Sequence, residues 1–315
     1  MEALFSNTSI LNLFVSVIIV MAITLVFKTS TTTNFAQTTI ATFGGYLVAK
    51  LNYENNIPVW LCLIIGLAVC LLMGLFIDTC VIRRARSVNP VGKQIITMGF
   101  TYILISVISL AMQIRQPTGE IIQSNPPTVF LPLMVDDGTG NIIANGFKIG
   151  EITYYWNTLI CVCISVVLIL AFFIAVYKTK FGLGVRMTAS DETTAQMMGV
   201  NTHVITAVSW SVATMLGCFA CVFLNDNTAK LSTSIMTPVQ VSAFLACVVG
   251  GFNTFWGPAV AAVIVWLLGG IVNLVGAAYA PDLTLWKDLV VYGIAMILVL
   301  IKPTGLFGKA VRKKV

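Results

Sequence analysis

Residues 155–177 read YWNTLICVCISVVLILAFFIAVY without one charged side chain, and residues 178–201 continue KTKFGLGVRMTASDETTAQMMGVN. A helix needs about 20 mostly apolar residues to cross a bilayer, so the first stretch is long enough to span and the second is too polar. Working outward, runs of the same kind occupy Ile10–Phe27, Ile57–Ile82, Gln94–Met112, Val204–Leu224, Pro258–Ala278 and Lys287–Ile301. Two further stretches, Asn34–Ala49 and Val239–Gly251, are shorter or more polar and end near the glycine pairs Gly44–Gly45 and Gly250–Gly251. They read as full spans or as half-helices buried in protein, where irregular backbone is tolerated. The expectation is an all-α polytopic transmembrane bundle of eight or nine spans, with residues 1–315 forming a single domain.

The composition agrees. Charged residues make up 10% of the 315-residue chain, against about 25% in soluble domains, and the mean hydropathy is +0.94. Too few charges exist to build a water-facing surface, and the hydrophobicity excludes intrinsic disorder. The net charge of +6 does not indicate a nucleic-acid partner, because no soluble face exists to carry it. Met1–Asn7 lack Lys and Arg, so the basic start of a cleavable signal peptide is missing and the first run should stay as a span.

The positive-inside rule sets an orientation. Arg83–Lys93 carries Arg83, Arg84, Arg86 and Lys93 with no acid, which places it in the cytoplasm. Alternation then puts residues 178–203 and the tail from Lys302 on that side, with the N-terminus outside and the C-terminus cytoplasmic. Thirteen bases and three acids fall inside, five bases and nine acids outside. The external connector, residues 115–154, contains Pro117, Pro126, Pro127, Pro132 and the turn Asp136–Gly140, with a short hairpin arm or strand expected over Asn141–Ile149. It reads as a docking surface for an external partner or as a structured connection.

Chemistry-bearing patterns are scarce. No phosphate-binding loop occurs, and His203 lies at a membrane boundary without carboxylate or cysteine partners. No catalytic residue, metal site or bound cofactor is expected. All eight cysteines fall in or beside apolar runs, and Cys218-x-x-Cys221 reads as two small apolar residues on one helix face. Asp78 is the one acid inside a long apolar run and sits near the cytoplasmic interface. A bundle without ion-handling charges takes its energy from another subunit or works as a channel.

Within residues 178–203, Thr188–Met198 is expected to be helical. Thr188 or Ser190 would cap it, Asp191 and Glu192 would occupy the first turn, and Gly199 would stand at C′. Ala195 and Gly199, four apart, share a face, suited to a groove on a partner or to lying on the membrane. This stretch resembles the coupling loop of bacterial ABC-importer permeases, in particular those for branched-chain amino acids. Thr179, Gly182, Arg186, Ala189, Asp191, Ala195, Gly199, Val200 and Asn201 carry the resemblance, with Met187 in place of the family's usual Ala. Three further segments resemble the family in the same order. They are Asn34-Phe-Ala-Gln37 with Gly44-Gly-Tyr46, Ser242–Gly251 with Gly257–Pro258, and Lys302-Pro-Thr-Gly-Leu-Phe-Gly308. Thr38–Thr39 replace a usual Gly-Glu, so a carboxylate common at that place is missing.

The resemblance implies a permease of the inner membrane that works with two ABC ATP-binding subunits, a second related permease or a second copy, and an external substrate-binding protein. ATP would be used by those partner subunits. Gly182, Arg186, Asp191, Glu192, Ala195 and Gly199 would form the ATPase-coupling surface, with Arg186 paired to an acid or a lipid phosphate, or serving only as an inside positive charge. Gly44, Gly45, Gly250, Gly251 and Gly257 would be structural turns. For the substrate path, Asn34, Gln37 and Thr42 lead, because broken helices mark transport sites. Thr38, Ser106, Gln113, Ser209, Thr214, Gln240, Ser242 and Asn273 are the other polar side chains in apolar spans. Branched-chain amino acids are the first substrate class, with urea or short amides as the alternative within the family. A stand-alone secondary transporter or channel is the alternative outside it.

Overall fold

The computed structural model describes residues 5–85, 89–111, 114–115, 121–122, 130–131, 133–138, 141–150, 152–225, 231–279 and 284–308. Arg86, Gln113, Glu120, Glu151, the four connector prolines, part of the Asp136–Gly140 turn and the tail from Lys309 lie outside the described residues. The helices are α1 (Asn7–Ser30), α2 (Gln37–Asn55), α3 (Val59–Phe76), α4 (Pro90–Ala111), α5 (Trp156–Lys178), α6 (Lys180–Ser190), α7 (Glu192–Met197), α8 (Thr202–Asn225), α9 (Thr237–Gly250), α10 (Trp256–Tyr279) and α11 (Lys287–Ile301). Helix α3 runs on into a π-helical turn, Ile77–Ile82.

Six helices are long and apolar enough to cross a membrane: α1, α3 with its π turn, α4, α5, α8 and α10. α2 is more polar, and α9 and α11 are shorter. α1 and α8 pack against each other through the centre, and α2, α3, α9, α10 and α5 surround them. The apolar windows of α1 and α8 are 67% and 78% buried, against 17% for α4 and 22% for α5. Helices that are apolar all round and buried on one side only need an apolar solvent on the other. Ile103 and Leu110 on α4, and Val167 and Ile174 on α5, face that solvent.

Backbones come close where the inner helices meet. A Cβ on Gly44 of α2 would lie 2.5 Å from Cys70 Sγ of α3 and 2.7 Å from Cys218 Sγ of α8. Cys218 and Cys221 are both fully buried and all eight cysteines are free thiols, so the C-x-x-C pair packs as small apolar side chains. This packing corrects the expectation of turns at three glycines: Gly44 and Gly45 are buried in the interior of the continuous helix α2, and Gly257 lies in the first turn of α10, where the missing side chains serve close packing and not chain reversal. Thr214 on α8 donates to the Cys70 carbonyl at 2.8 Å, a polar tie across the same seam.

The all-α reading requires one correction. Six short strands form three two-stranded antiparallel ladders within the connector: β1 (Ile114–Arg115) with β2 (Ile121–Ile122), β3 (Met134–Asp136) with β4 (Ile142–Ala144), and β5 (Gly146–Ile149) with β6 (Ile152–Tyr155). They arise because Ile, Val, Phe and Tyr dominate these short segments and a chain re-entering the bundle still has to pair its backbone. Asn7 anchors this end by donating to the Thr153 carbonyl and accepting from the Tyr155 N–H.

Gly44→Val tests the seam. Overpacking of this kind costs roughly 1–3 kcal/mol, so the variant should unfold in detergent at a clearly lower temperature than the parent. An unchanged Tm would show that α2, α3 and α8 do not meet as described.

Candidate coupling surface and substrate path

Residues 178–203 fold into two helices, which corrects the single helix expected over Thr188–Met198. Thr179 leaves α5 in extended conformation and its hydroxyl accepts from the Gly182 N–H at 3.1 Å, capping α6. A side chain at Gly182 would strike the Ala175 and Val176 carbonyls of α5, so α6 can turn sharply against α5 only with glycine there. Ser190 joins α6, and Asp191, extended at φ −160°, caps α7. Its carboxylate accepts from the Thr193 and Thr194 N–H groups at 2.9 and 3.2 Å and from both threonine hydroxyls. The Thr193 hydroxyl, then the Thr194 backbone N–H and hydroxyl, hold its pKa down at about 2.

Gly199 ends α7 at φ +83°. Its N–H donates to the Gln196 carbonyl and the Val200 N–H to Ala195, the paired bonds of a Schellman stop. Ala195 is 2% exposed, so its methyl supports α7 from within and does not share an outward face with Gly199. The outward face carries Glu192, Gln196, Met197 and Met198, the two methionines 86% and 71% exposed. Gln196 also donates to the Thr202 hydroxyl at 2.8 Å, tying α7 to α8. Arg186 is exposed, stands 5.7 Å over the Tyr177 ring and returns its Nε–H to the Gly182 carbonyl. Met197 and Met198 were missed in the sequence; two adjacent methionines at a polar loop's tip are the signal that marks them.

At the same end of the bundle, two segments far apart in sequence lock together. Gly251 turns the chain after α9 at φ +84°, and Gly305 stands against it, where a Cβ would lie 2.5 Å from the Gly251 backbone. Gly250 packs on the Gly257 carbonyl, Gly251 on Gly308, and the Leu306 N–H donates to the Val249 carbonyl at 2.7 Å. Lys28, ending α1, donates to the Asn253 carbonyl at 2.6 Å, and Phe27 packs against Phe252 with the rings tilted by 36°. Phe255 of this turn meets Tyr177 edge-on at 6.4 Å. Arg83 joins the same end by bonding Asp78 at 2.9 Å and the His203 carbonyl at 3.0 Å.

The interior holds the path candidates. α1 and α9 run parallel, with Thr24 beside Cys247 and Lys28 beside Asn253. Gln240 stands two turns before Cys247, ~10 Å back at 1.5 Å per residue. There it donates to the Phe35 carbonyl at 2.8 Å and accepts from the Thr38 hydroxyl. The chain therefore turns back after α1, runs non-helically through residues 31–36, and starts α2 deep in the bundle. Thr32, Thr33 and Asn34 are buried along this run. Both the Asn34 and Gln37 side chains are 1% exposed. The Asn34 Oδ1 accepts from the Ala36 N–H, whereas its Nδ2 and both polar atoms of Gln37 have no partner among the described residues. Thr42 spends its hydroxyl on the Thr38 carbonyl. Ser106, Ser209 and Thr214 likewise bond carbonyls four residues earlier, an ordinary arrangement in apolar helices. Among the described residues, no cluster of three or more His, Cys, Asp or Glu is arranged to hold a metal.

Residues 7–300 match the family model for the permease component of branched-chain amino acid transport systems. The chain is 27% identical over 169 residues to the high-affinity branched-chain amino acid transport system permease protein BraD of Pseudomonas aeruginosa, covering 53% of this chain and 52% of that protein. The probable branched-chain amino acid transport permease protein LivH of Methanocaldococcus jannaschii is 22% identical over 299 residues, 93% of this chain and 88% of its own length. In its bacterial matches the chain spans about half of the relative's length. The solved structure of PsaBC from Streptococcus pneumoniae in complex with Fab covers 94% of this chain and 91% of its own, at 13% identity and a TM-score of 0.47.

The Asp191 cap has a defined pH dependence. Its folded pKa of about 2 lies below the ordinary value of 3.8, so its contribution is complete above pH 3.8 and is lost as pH falls through about 2. Asp191→Ala should speed amide exchange at Thr193 and Thr194 at neutral pH, whereas Asp191→Asn should keep protection with no such pH dependence. Equal exchange in the parent and Asp191→Ala would remove the cap from the account.

Proposed function

The chain belongs to the permease component family of branched-chain amino acid transport systems, and we propose that it is the membrane-spanning subunit of an ATP-driven importer of that class. It is a multi-pass integral membrane protein, of a family of transport components and not of enzymes. In the proposed arrangement it resides in the bacterial inner membrane with its N-terminus outside and its C-terminus in the cytoplasm, in eight or nine crossings. Two ABC ATP-binding subunits, a second permease and an external binding protein complete the assembly. The connector would face the binding protein.

The observation that carries this reading is the α6–α7 hairpin. It stands at the end of the bundle where the basic residues Lys28, Arg83, Lys178, Lys180, Arg186 and Lys302 gather. The hairpin is fixed at both ends of α7, by Asp191 and by the Gly199 stop, and it presents Met197 and Met198 outward. Exposed methionines adapt to a facing groove, and a capped, short helix loses little conformational freedom when it docks. Nucleotide-driven closure of the ATPase pair would move this hairpin and bias the bundle between two states by differential contact. Asn34 and Gln37, with hydrogen-bonding capacity unspent in the interior, are the inner residues of the substrate path; Thr42, committed to its own helix, is not.

Gly199→Val forces a β-branched side chain into φ +83°, and Met197→Glu puts a charge on the docking tip. Both variants should lose copurification of the ATP-binding subunit when expressed with the native transport partners, while the permease stays monodisperse. Unchanged copurification in both would overturn the coupling assignment. Robust gradient-driven leucine uptake by the chain alone in liposomes would overturn the importer reading.

A further inference from the structure

A cleft of about 420 Å³ opens between α1, α9, α10 and α11, at the end of the bundle where Asn7 ties α1 to the connector. The volume falls within the range of about 300–1,000 Å³ usual for small-molecule sites. Besides Ser6, Thr8, Ser9, Trp266 and Tyr292, its lining carries six polar or charged side chains: Asn12 and Ser16 on α1, Ser242 on α9, Asn273 on α10, and Lys287 and Asp288 on α11. Asn12 and Ser16, four apart, lie on one face of α1. None of the six makes a hydrogen bond or ion pair with another described residue. That sets them apart from Thr24, Ser209 and Thr214, which satisfy themselves on helix carbonyls. Five of the six are half-buried and Asp288 is exposed, so their unspent hydrogen-bonding capacity is open to a solute in the cleft.

The chemistry of the wall is specific. Lys287 and Asp288, consecutive in the first turn of α11, both line the cleft with an ammonium and a carboxylate that do not pair with each other. Val239, Val265 and Val291 supply apolar wall between the polar groups. An α-amino acid with an aliphatic side chain matches all three elements, its carboxylate to Lys287, its ammonium to Asp288 and its side chain to the valines. Urea or a short amide has no ionised ends and would leave both charges unpaired.

We propose that this cleft is the vestibule of the substrate path and that Lys287 and Asp288 bind the two ionised ends of a zwitterionic aliphatic amino acid. The proposal rests on the permease reading above and fixes the substrate class within it. The first turns of α9 form its inner wall. Val239 and Ser242 face the vestibule, while Gln240 reaches across to Phe35 and Thr38 at the start of α2.

The test uses the transporter purified with its native partners in nanodiscs, both faces open. Asn273→Cys should react with a charged methanethiosulfonate reagent above the parent's background. Saturating leucine should slow that reaction about tenfold, equivalent to about 1.4 kcal/mol of protection, and urea should not. Adding Lys287→Met or Asp288→Asn should abolish leucine protection while labelling itself persists, which shows the fold intact; Lys287→Arg should retain protection. No labelling of Asn273→Cys, protection unchanged by both substitutions, or equal protection by urea would each overturn the vestibule. Leucine uptake by the parent assembly separates the two levels of the argument. Parent uptake that Lys287→Met and Asp288→Asn leave unchanged overturns the vestibule alone, and no parent uptake overturns the permease reading with it.

Discussion

A backbone carbonyl or N–H left without a partner in hydrocarbon costs several kcal/mol, and residues 31–36 carry non-helical backbone into the middle of an apolar bundle. The segment survives there because other side chains serve it. Gln240 donates to the Phe35 carbonyl, Thr97 accepts from the Phe35 N–H, and Asn34 accepts from Ala36. Phe35 packs on Phe244 at 5.0 Å, keeping the clamp dry. The start of α2 and the start of α9 therefore depend on each other, and both depend on α1 and α8, which keep lipid away. α9 is short for the same reason: it begins where Gln240 can meet Phe35, well inside the bundle.

At the opposite end the closest contacts are between backbones, with Lys28 and Phe27 of α1 braced against them. The Gly250–Gly251 turn, Gly257, Gly305 and Gly308 bring three stretches of main chain into contact, closed by the Leu306–Val249 hydrogen bond. From that knot, contacts run without a gap through Phe255 and Tyr177 to Arg186 on α6. The half-helix α9 thus connects the buried clamp at its first turn to the proposed coupling hairpin beyond its last. A rigid element anchored at both ends transmits displacement, whereas a glycine-jointed loop alone would absorb it.

Six of the apolar spans were legible because length and hydropathy report directly on what a bilayer demands, and Tyr155–Tyr177 alone decides the class; Lys287–Ile301, read as a seventh, forms a helix of 15 residues, shorter than those six. The unusual character of α2 and α9 was legible, since Gly, Thr and Gln dilute their apolar pattern; the break expected at Gly250–Gly251 ends α9, whereas α2 runs through Gly44–Gly45 and its interruption lies earlier, at residues 31–36. The split between α6 and α7 was not. Ser190 is as good a cap by residue type as Asp191, and only the fold shows Thr193 and Thr194 offering four donors to one carboxylate. Lys180–Arg186 precedes the helix expected over Thr188–Met198, yet Gly182 allows the close crossing of α5 and the segment is itself helical. The meeting of Gly251 with Gly305 was invisible, because nothing in either motif names the other as its neighbour. Lys287 and Asp288 read as the polar start of a span until the cleft joined them to Asn12, Ser16, Ser242 and Asn273.

Those polar groups and the amides of Asn34 and Gln37 lie on opposite sides of α9, and this geometry constrains any passage between them. A solute in the cleft meets Val239 and Ser242, while Gln37 is 1% exposed behind the Gln240 clamp. Going further means parting α9 from α2, which breaks the two Gln240 hydrogen bonds. Each is worth roughly 1 kcal/mol in a membrane bundle, a cost small against the nucleotide-driven work that the proposed importer would draw on. Weak, separable polar contacts suit a conduit, since a solute bound tightly at any one station would not leave it. In the proposed path the Gln37 amide, buried without a partner among the described residues, stands next to the contact that would have to open, ready to receive a polar solute.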